Sequence, residues 1–221
     1  MKNFLSKYRE PLPKTIVRHF DNENYALDFI NGNIRIGHYL TYAELPNSSS
    51  RKNINEGQHS ASVLYGNGKA SWTHVGGAWP VYLLCFHNSN VAEANRIAHG
   101  KFIVTVSQPD EFHRRIVKHL NGLLQTSLKG HLVYNANRLT IETEIENILE
   151  LSLYTDSPQN AWKQEIRFSY YFKADKIWPE APDDPLILRS LELTSKHSLP
   201  QYLYLQKVPI RDLCKIQLSV D

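Results

Sequence analysis

A chain of 221 residues, 42% apolar and 11% aromatic, can bury the core of one generous domain and is too rich in aromatics for disorder. Its 25 Lys and Arg against 22 Asp and Glu leave a net charge of +3, weaker than a dedicated DNA binder with a basic stripe would carry. Only two cysteines occur, Cys85 and Cys214, far apart in apolar runs, which excludes a disulfide framework and points to free thiols in a reducing, cytoplasmic compartment.

The opening MKNFLSKYREPLPK is charged but lacks the apolar centre of a signal peptide. No run approaches the ~18 apolar residues that cross a bilayer, so the chain reads as soluble. Residues 1–14, with Pro11 and Pro13, read as a leader, and 15–221 as a single domain. Thr15 to Phe20 has strand character. Asp21 or Asn22 can cap a helix over Glu23 to Asn31, whose Tyr25, Ala26, Phe29 and Ile30 share a face and whose stop is Gly32. Ile34 to Tyr42 alternates as a strand, with Ile34, Ile36, Leu40 and Tyr42 on one side and Arg35, Tyr39 and Thr41 on the other.

Residues 43–80 read as a long irregular region, broken by Ser48-Ser49-Ser50 and by Gly57, Gly66, Gly68, Gly76 and Gly77. A loop of that length in a compact domain is mobile or functional. Val81 to Phe86 suits a buried central strand, and Lys101 to Ser107 a second. After Pro109, the residues Phe112, Ile116, Leu120 and Leu123 or Leu124 recur at helical spacing, turning Arg114, Arg115 and Lys118 to water. The strand candidates beyond are Leu132 to Tyr134, Arg138 to Glu142, Ile166 to Phe172, Leu186 to Leu193 and Tyr202 to Gln206. A short helix from Pro209 to Leu213 and a closing strand from Lys215 to Val220 complete the chain. Strands outnumber scattered helices, so the expected class is α+β, a single domain with a curved or split, mainly antiparallel sheet.

Several chemistries fail at the level of motif. Neither a G-x-x-x-x-G-K-[ST] nor a G-x-G-x-x-G loop is present to cradle phosphate, and Gly66-Asn67-Gly68 is only a turn signal. The nucleophile elbow G-x-S-x-G is absent. The ten histidines include no helical i, i+4 pair, and no C-x-x-C exists, so no metal is expected. Cys85-Phe86-His87 puts two side chains on one strand face, which falls short of a ligand set. A metal-dependent nuclease needs converging carboxylates, and Glu165-Ile166-Arg167 has Arg where an acid-x-Lys pair would have Lys.

Three local features remain: Arg18-His19-Phe20 at a strand end, Arg51-Lys52-Asn53-Ile54-Asn55-Glu56-Gly57 in the long loop, and Trp162-Lys163-Gln164-Glu165-Ile166-Arg167-Phe168 opening a late strand. A strand carrying Arg or His, a helix ending in Gly, a second strand, and a late Gln-Glu at a strand start resemble the ADP-ribosyltransferase fold. The pattern is also similar to a group of bacterial proteins with a strand Arg, a helix-Gly-x-Ile-Arg-Ile-Gly segment and a late Glu-x-Arg. The resemblance implies an enzyme that consumes NAD and passes ADP-ribose to a protein or nucleic-acid acceptor, of the kind found in bacterial or phage conflict. It implies that Arg18 and His19 hold the NAD, that Tyr42 supports the nicotinamide, and that Glu165 is catalytic.

The chemistry is coherent on its own terms. Breaking the nicotinamide–ribose bond builds positive charge that a carboxylate stabilises, and an Arg fork suits the phosphates. Each residue also has a plainer reading: Arg18 as a strand-edge residue, Glu165 and Arg167 as an ion pair on the sheet. The alternative function is a non-enzymatic binding protein that recognises a partner through the 43–80 region; a further one is a nucleic-acid-processing enzyme. What separates the first two is whether Arg18 and Glu165 meet within ~10 Å in one pocket, because one ribose must touch both.

Overall fold

The computed structural model describes residues 9–39, 41, 59–64, 70–75, 80–89, 100–134, 153–156, 161, 163–173 and 201–218. Its strands are β1 (Thr15–Phe20), β2 (Ile34–His38), β3 (His59–Leu64), β4 (Ala70–Val75), β5 (Val81–Asn88), β6 (Phe102–Ser107), β7 (Leu124–His131), β8 (Val133–Tyr134), β9 (Thr155–Asp156), β10 (Glu165–Phe172), β11 (Tyr202–Leu205) and β12 (Cys214–Leu218). Helix α1 is Glu23–Ile30, α2 is Pro109–His119, and a 3-10 turn, Arg211–Leu213, leads into β12. The class is α+β.

Eight strands form one antiparallel sheet, ordered β11-β2-β5-β1-β6-β12, with β10 on β5 and β7 on β10. Strand β5 is the hub, as its continuous apolar run foreshadows. Strand β10 pairs with it from Val81 to His87. On its other edge β2 takes Tyr82 and Leu83, whereas β1 takes His87 and Asn88. The sheet therefore splits along β5, and Leu84, Cys85 and Phe86 line the fork.

Local chemistry explains the opening elements. The Asn22 side chain accepts from the Asn24 N–H at 2.8 Å and caps α1. Gly32, at φ +86°, reverses the chain after the helix, and a Cβ there would meet the Val208 carbonyl oxygen at 2.1 Å. Ala26 and Phe29 are buried, while Tyr25 falls at the rim of the apolar stripe, where its polar tip meets water, and is 62% exposed. Strand β2 stops at His38, and Tyr39 turns into the second core.

Alternation divides the buried residues between the two faces. The face under α1 and α2 holds the larger core, including Ile16, Phe86, Phe168 and Tyr170 from the sheet and Phe29, Phe112 and Ile116 from the helices. Phe86 and Phe112 meet edge-on at 5.5 Å, and Phe29 stacks on Phe112 at 5.9 Å. The opposite face carries a smaller core with Tyr39, Val81, Leu83, Leu132, Leu153 and Tyr154.

Two segments differ from the expectation. Within 43–80, β3 and β4 pair in register from His59↔Val75 to Leu64↔Ala70, so part of that region is a hairpin. The apolar positions Ala61 and Val63 alternate with Ser60 and Ser62, a period of two that the surrounding glycines obscure. Leu124 opens β7 and does not extend α2, because Gly122 at φ +84° turns the chain after Leu120. Arg114 and Lys118 do face water, but Arg115 is drawn back to Asp212 and the Pro209 carbonyl. The strands expected at Arg138 to Glu142 and Leu186 to Leu193 lie outside the described residues. Neither Cys85 nor Cys214 forms a disulfide. Among the described residues, no helix is long and apolar enough to cross a membrane.

Candidate functional site

Strands β1, β5 and β10 bring three of the four residues singled out in the sequence into one neighbourhood; Tyr42 lies outside the described residues. Register sets their directions. Val17, His87 and Glu165 stand in one cross-strand row, because Val17 pairs with His87 and His87 pairs with Glu165. Paired residues share a face and sequence neighbours do not. Glu165 and His19 thus point to the face away from the helices, and Arg18 points beneath them.

The contacts agree with the register. The Arg18 guanidinium lies 5.6, 5.8 and 5.9 Å from the rings of Phe20, Phe29 and Phe86, the aromatic group under the helices. Its Nη1 donates to the Cys85 carbonyl oxygen at 2.8 Å. Cys85 lies in the fork where β5 passes from β2 to β1, so Arg18 bridges the split from below.

The other face holds a compact polar group. Arg167 Nε donates to Glu165 Oε1 at 2.6 Å, and the two side chains are only 4% and 11% exposed. Arg167 Nη1 donates to the Leu153 carbonyl at 2.6 Å, and the Tyr154 hydroxyl lies 2.7 Å from Ser169 Oγ. The Glu165 N–H donates to the Tyr134 hydroxyl at 2.8 Å. His87 Nδ1 lies 2.8 Å from the Lys163 carbonyl oxygen, which can only accept, so the proton sits on Nδ1. The His19 and His87 rings are 5.4 Å apart.

This setting dictates protonation. Burial alone would raise the Glu165 carboxyl, but the Arg167 charge and hydrogen bond, with help from His87 and the Cys85 thiol, hold it below the ordinary range. Burial and the Glu165 charge push the Cys85 thiol up despite nearby Arg167 and Arg18, which leaves it a poor nucleophile. Burial lowers His87, outweighing the Lys163 carbonyl and Glu165, so its ring is neutral at pH 7.

Cys85 and His87 escape a motif search because they become neighbours of Glu165 only through the β5–β10 register, whereas Arg167 stands two residues along the same strand. The available signal was the i, i+2 spacing of Cys85 with His87 and of Glu165 with Arg167, which gives each pair one face. Among the described residues, no group of three or more His, Cys, Asp or Glu side chains converges as a metal site. The arrangement can therefore hold a fixed, neutralised ion pair among polar groups that accept and donate hydrogen bonds. No known protein family, curated protein or solved structure matches the chain.

Proposed function

We propose that the protein is a non-enzymatic binding protein that recognises a partner, with residues 43–80, including the β3–β4 hairpin, as the contact region. The observation that supports this reading over NAD-dependent transfer is the opposed orientation of Arg18 and Glu165. A transferase would need both groups on one dinucleotide, with the carboxylate free to meet positive charge growing on the ribose. Arg18 is engaged under the helices, and Glu165 is engaged by Arg167, whose charge already offsets it. Redirecting that carboxylate to a substrate would strand a buried arginine, at a cost of a few kcal/mol.

The test is incubation of the purified chain with NAD, following nicotinamide release for wild type and Glu165→Gln. The expected result is no release above the buffer rate from either protein. Turnover by the wild type that Glu165→Gln abolishes would reject the binding reading and restore the transferase one. In parallel, the Arg51→Glu, Lys52→Glu variant should lose any partner that wild type retains on size-exclusion chromatography, because both charges lie in the proposed contact region. A partner retained equally by that variant places the contact elsewhere.

A further inference from the structure

The second helix carries a group that the binding reading does not use. His113 sits on the inward face of α2, 8% exposed, against β7 and β10. Its ring stacks on Tyr170 at 5.5 Å and 24°, and meets Phe168 edge-on at 5.0 Å. Nδ1 lies 3.4 Å from the Tyr170 hydroxyl and Nε2 3.3 Å from Ser127 Oγ.

A neutral imidazole suits this nest. Nδ1 can accept a hydrogen bond from the Tyr170 O–H while Nε2 donates to Ser127 Oγ. A doubly protonated ring would donate from both nitrogens and leave the fully buried Tyr170 O–H without that acceptor. The titratable or charged groups facing the ring are Asp110 from α2 itself, Lys129 from β7 and Tyr170 from β10, and Lys129 and Asp110 are ion-paired with each other. Burial holds Tyr170 in its neutral phenol form.

The far side of the same helix is fastened differently. Arg115 grips Asp212 with both ends of its fork, Nη2 to Oδ2 at 2.9 Å, and Nη1 also donates to the Pro209 carbonyl at 2.6 Å. Glu111 closes this group by accepting from Arg114 and Arg115.

We infer that α2 is an acid-sensitive flap: protonation of His113 loosens its β7–β10 side, leaving there the exposed Asp110–Lys129 pair, while Arg115 keeps it tethered to Asp212 beside β12. The two fastenings respond to acid over different ranges. Burial, with a smaller push from Lys129 and against the pull of Asp110, lowers His113 to about 4. Hydrogen bonds from Arg114 and Arg115 hold Glu111 at about 2, and the bond from Arg115 lowers Asp212. The histidine therefore yields first. Because its pKa is depressed in the closed state, its contribution is fully present above about 6.5 and is lost as pH falls towards about 4. Opening would bare Phe112, Ile116 and the aromatic core beneath them.

Hydrogen exchange read by mass spectrometry on the full chain, corrected for intrinsic rates, tests this at pH 7 and pH 5. Linkage from 6.5 open to about 4 closed predicts that protection over residues 109–119 falls about 20-fold between those pH values. Residues 211–217 should lose much less. His113→Phe keeps the ring contacts without a titrating group and should abolish the drop; His113→Gln, which keeps a donor and an acceptor, should do the same. A wild-type drop shared equally by β1 and β5 would be global acid unfolding and would overturn the flap. Persistence of the helix-specific drop in either folded variant would also overturn it, because the titrating group would then be another residue.

Discussion

The two faces of the sheet bury comparable side chains by different means. Beneath α1 and α2, Phe29, Phe86, Phe112 and Phe168 close over the strands, and Arg18 lies among them against aromatic rings and the Cys85 carbonyl. On the other face, the polar group of Glu165, Arg167, His87 and Ser169 continues from the smaller core of Val81, Leu83 and Tyr154. The first face depends on close-packed apolar area, which tolerates no loss of volume. The second depends on matched charges and hydrogen bonds, which tolerate the loss of both partners better than the loss of one. Strand β10 belongs to both, because Arg167 and Phe168 are neighbours in sequence and point apart.

That adjacency permits a direct comparison. Phe168→Ala should cost about 3–5 kcal/mol through the cavity it opens beneath α2, read as a lowered midpoint in urea denaturation. Its effect should not change when Glu165 is also altered, since the two residues face opposite sides. Coupling above roughly 0.5 kcal/mol between Phe168→Ala and Glu165→Gln would mean that the faces are not independent.

Arg167→Met should come next, at about 3 kcal/mol, because it leaves the Glu165 carboxylate buried without its counter-charge. The double variant Arg167→Met, Glu165→Gln should recover most of that loss. No recovery would mean that Arg167 is held chiefly by the Leu153 carbonyl and its packing, and that the ion pair contributes little.

How much of this was legible in the sequence depended on the range of the interaction responsible. The Asn22 cap, the Gly32 stop, the central strand at Val81 and the helical spacing of Phe112, Ile116 and Leu120 are local signals, and each has its structural counterpart. All of β7, Leu124–His131, was missing from the strand candidates, in part because Leu123 and Leu124 continue the helical spacing while Gly122, one residue earlier, breaks the geometry. The candidate site was harder still. Arg18 and Glu165 are both plausible NAD contacts by residue type, but their directions follow from two registers, β1 on β5 and β5 on β10, that span almost 150 residues of chain. No local period encodes that relation. The split that places Arg18 beside the Cys85 carbonyl is equally nonlocal, since it arises from β1 and β2 sharing one edge of β5.

Arg18 therefore gives the sharpest test of the comparison, although its energetic effect is the smallest. Arg18→Met keeps a long, flexible side chain able to lie against Phe20, Phe29 and Phe86, and sulfur–aromatic contacts replace part of the cation–π attraction. What it cannot replace is the charged donor to the Cys85 carbonyl in the fork. The net loss should be about 1–2 kcal/mol in urea denaturation, the range for losing a hydrogen bond from a charged donor. If Arg18 is a brace for the split sheet, partner retention should match that of wild type once the variant is folded. A variant of unchanged stability that loses affinity for NAD or a partner would instead make Arg18 a ligand-contacting residue, and would move the functional face beneath the helices.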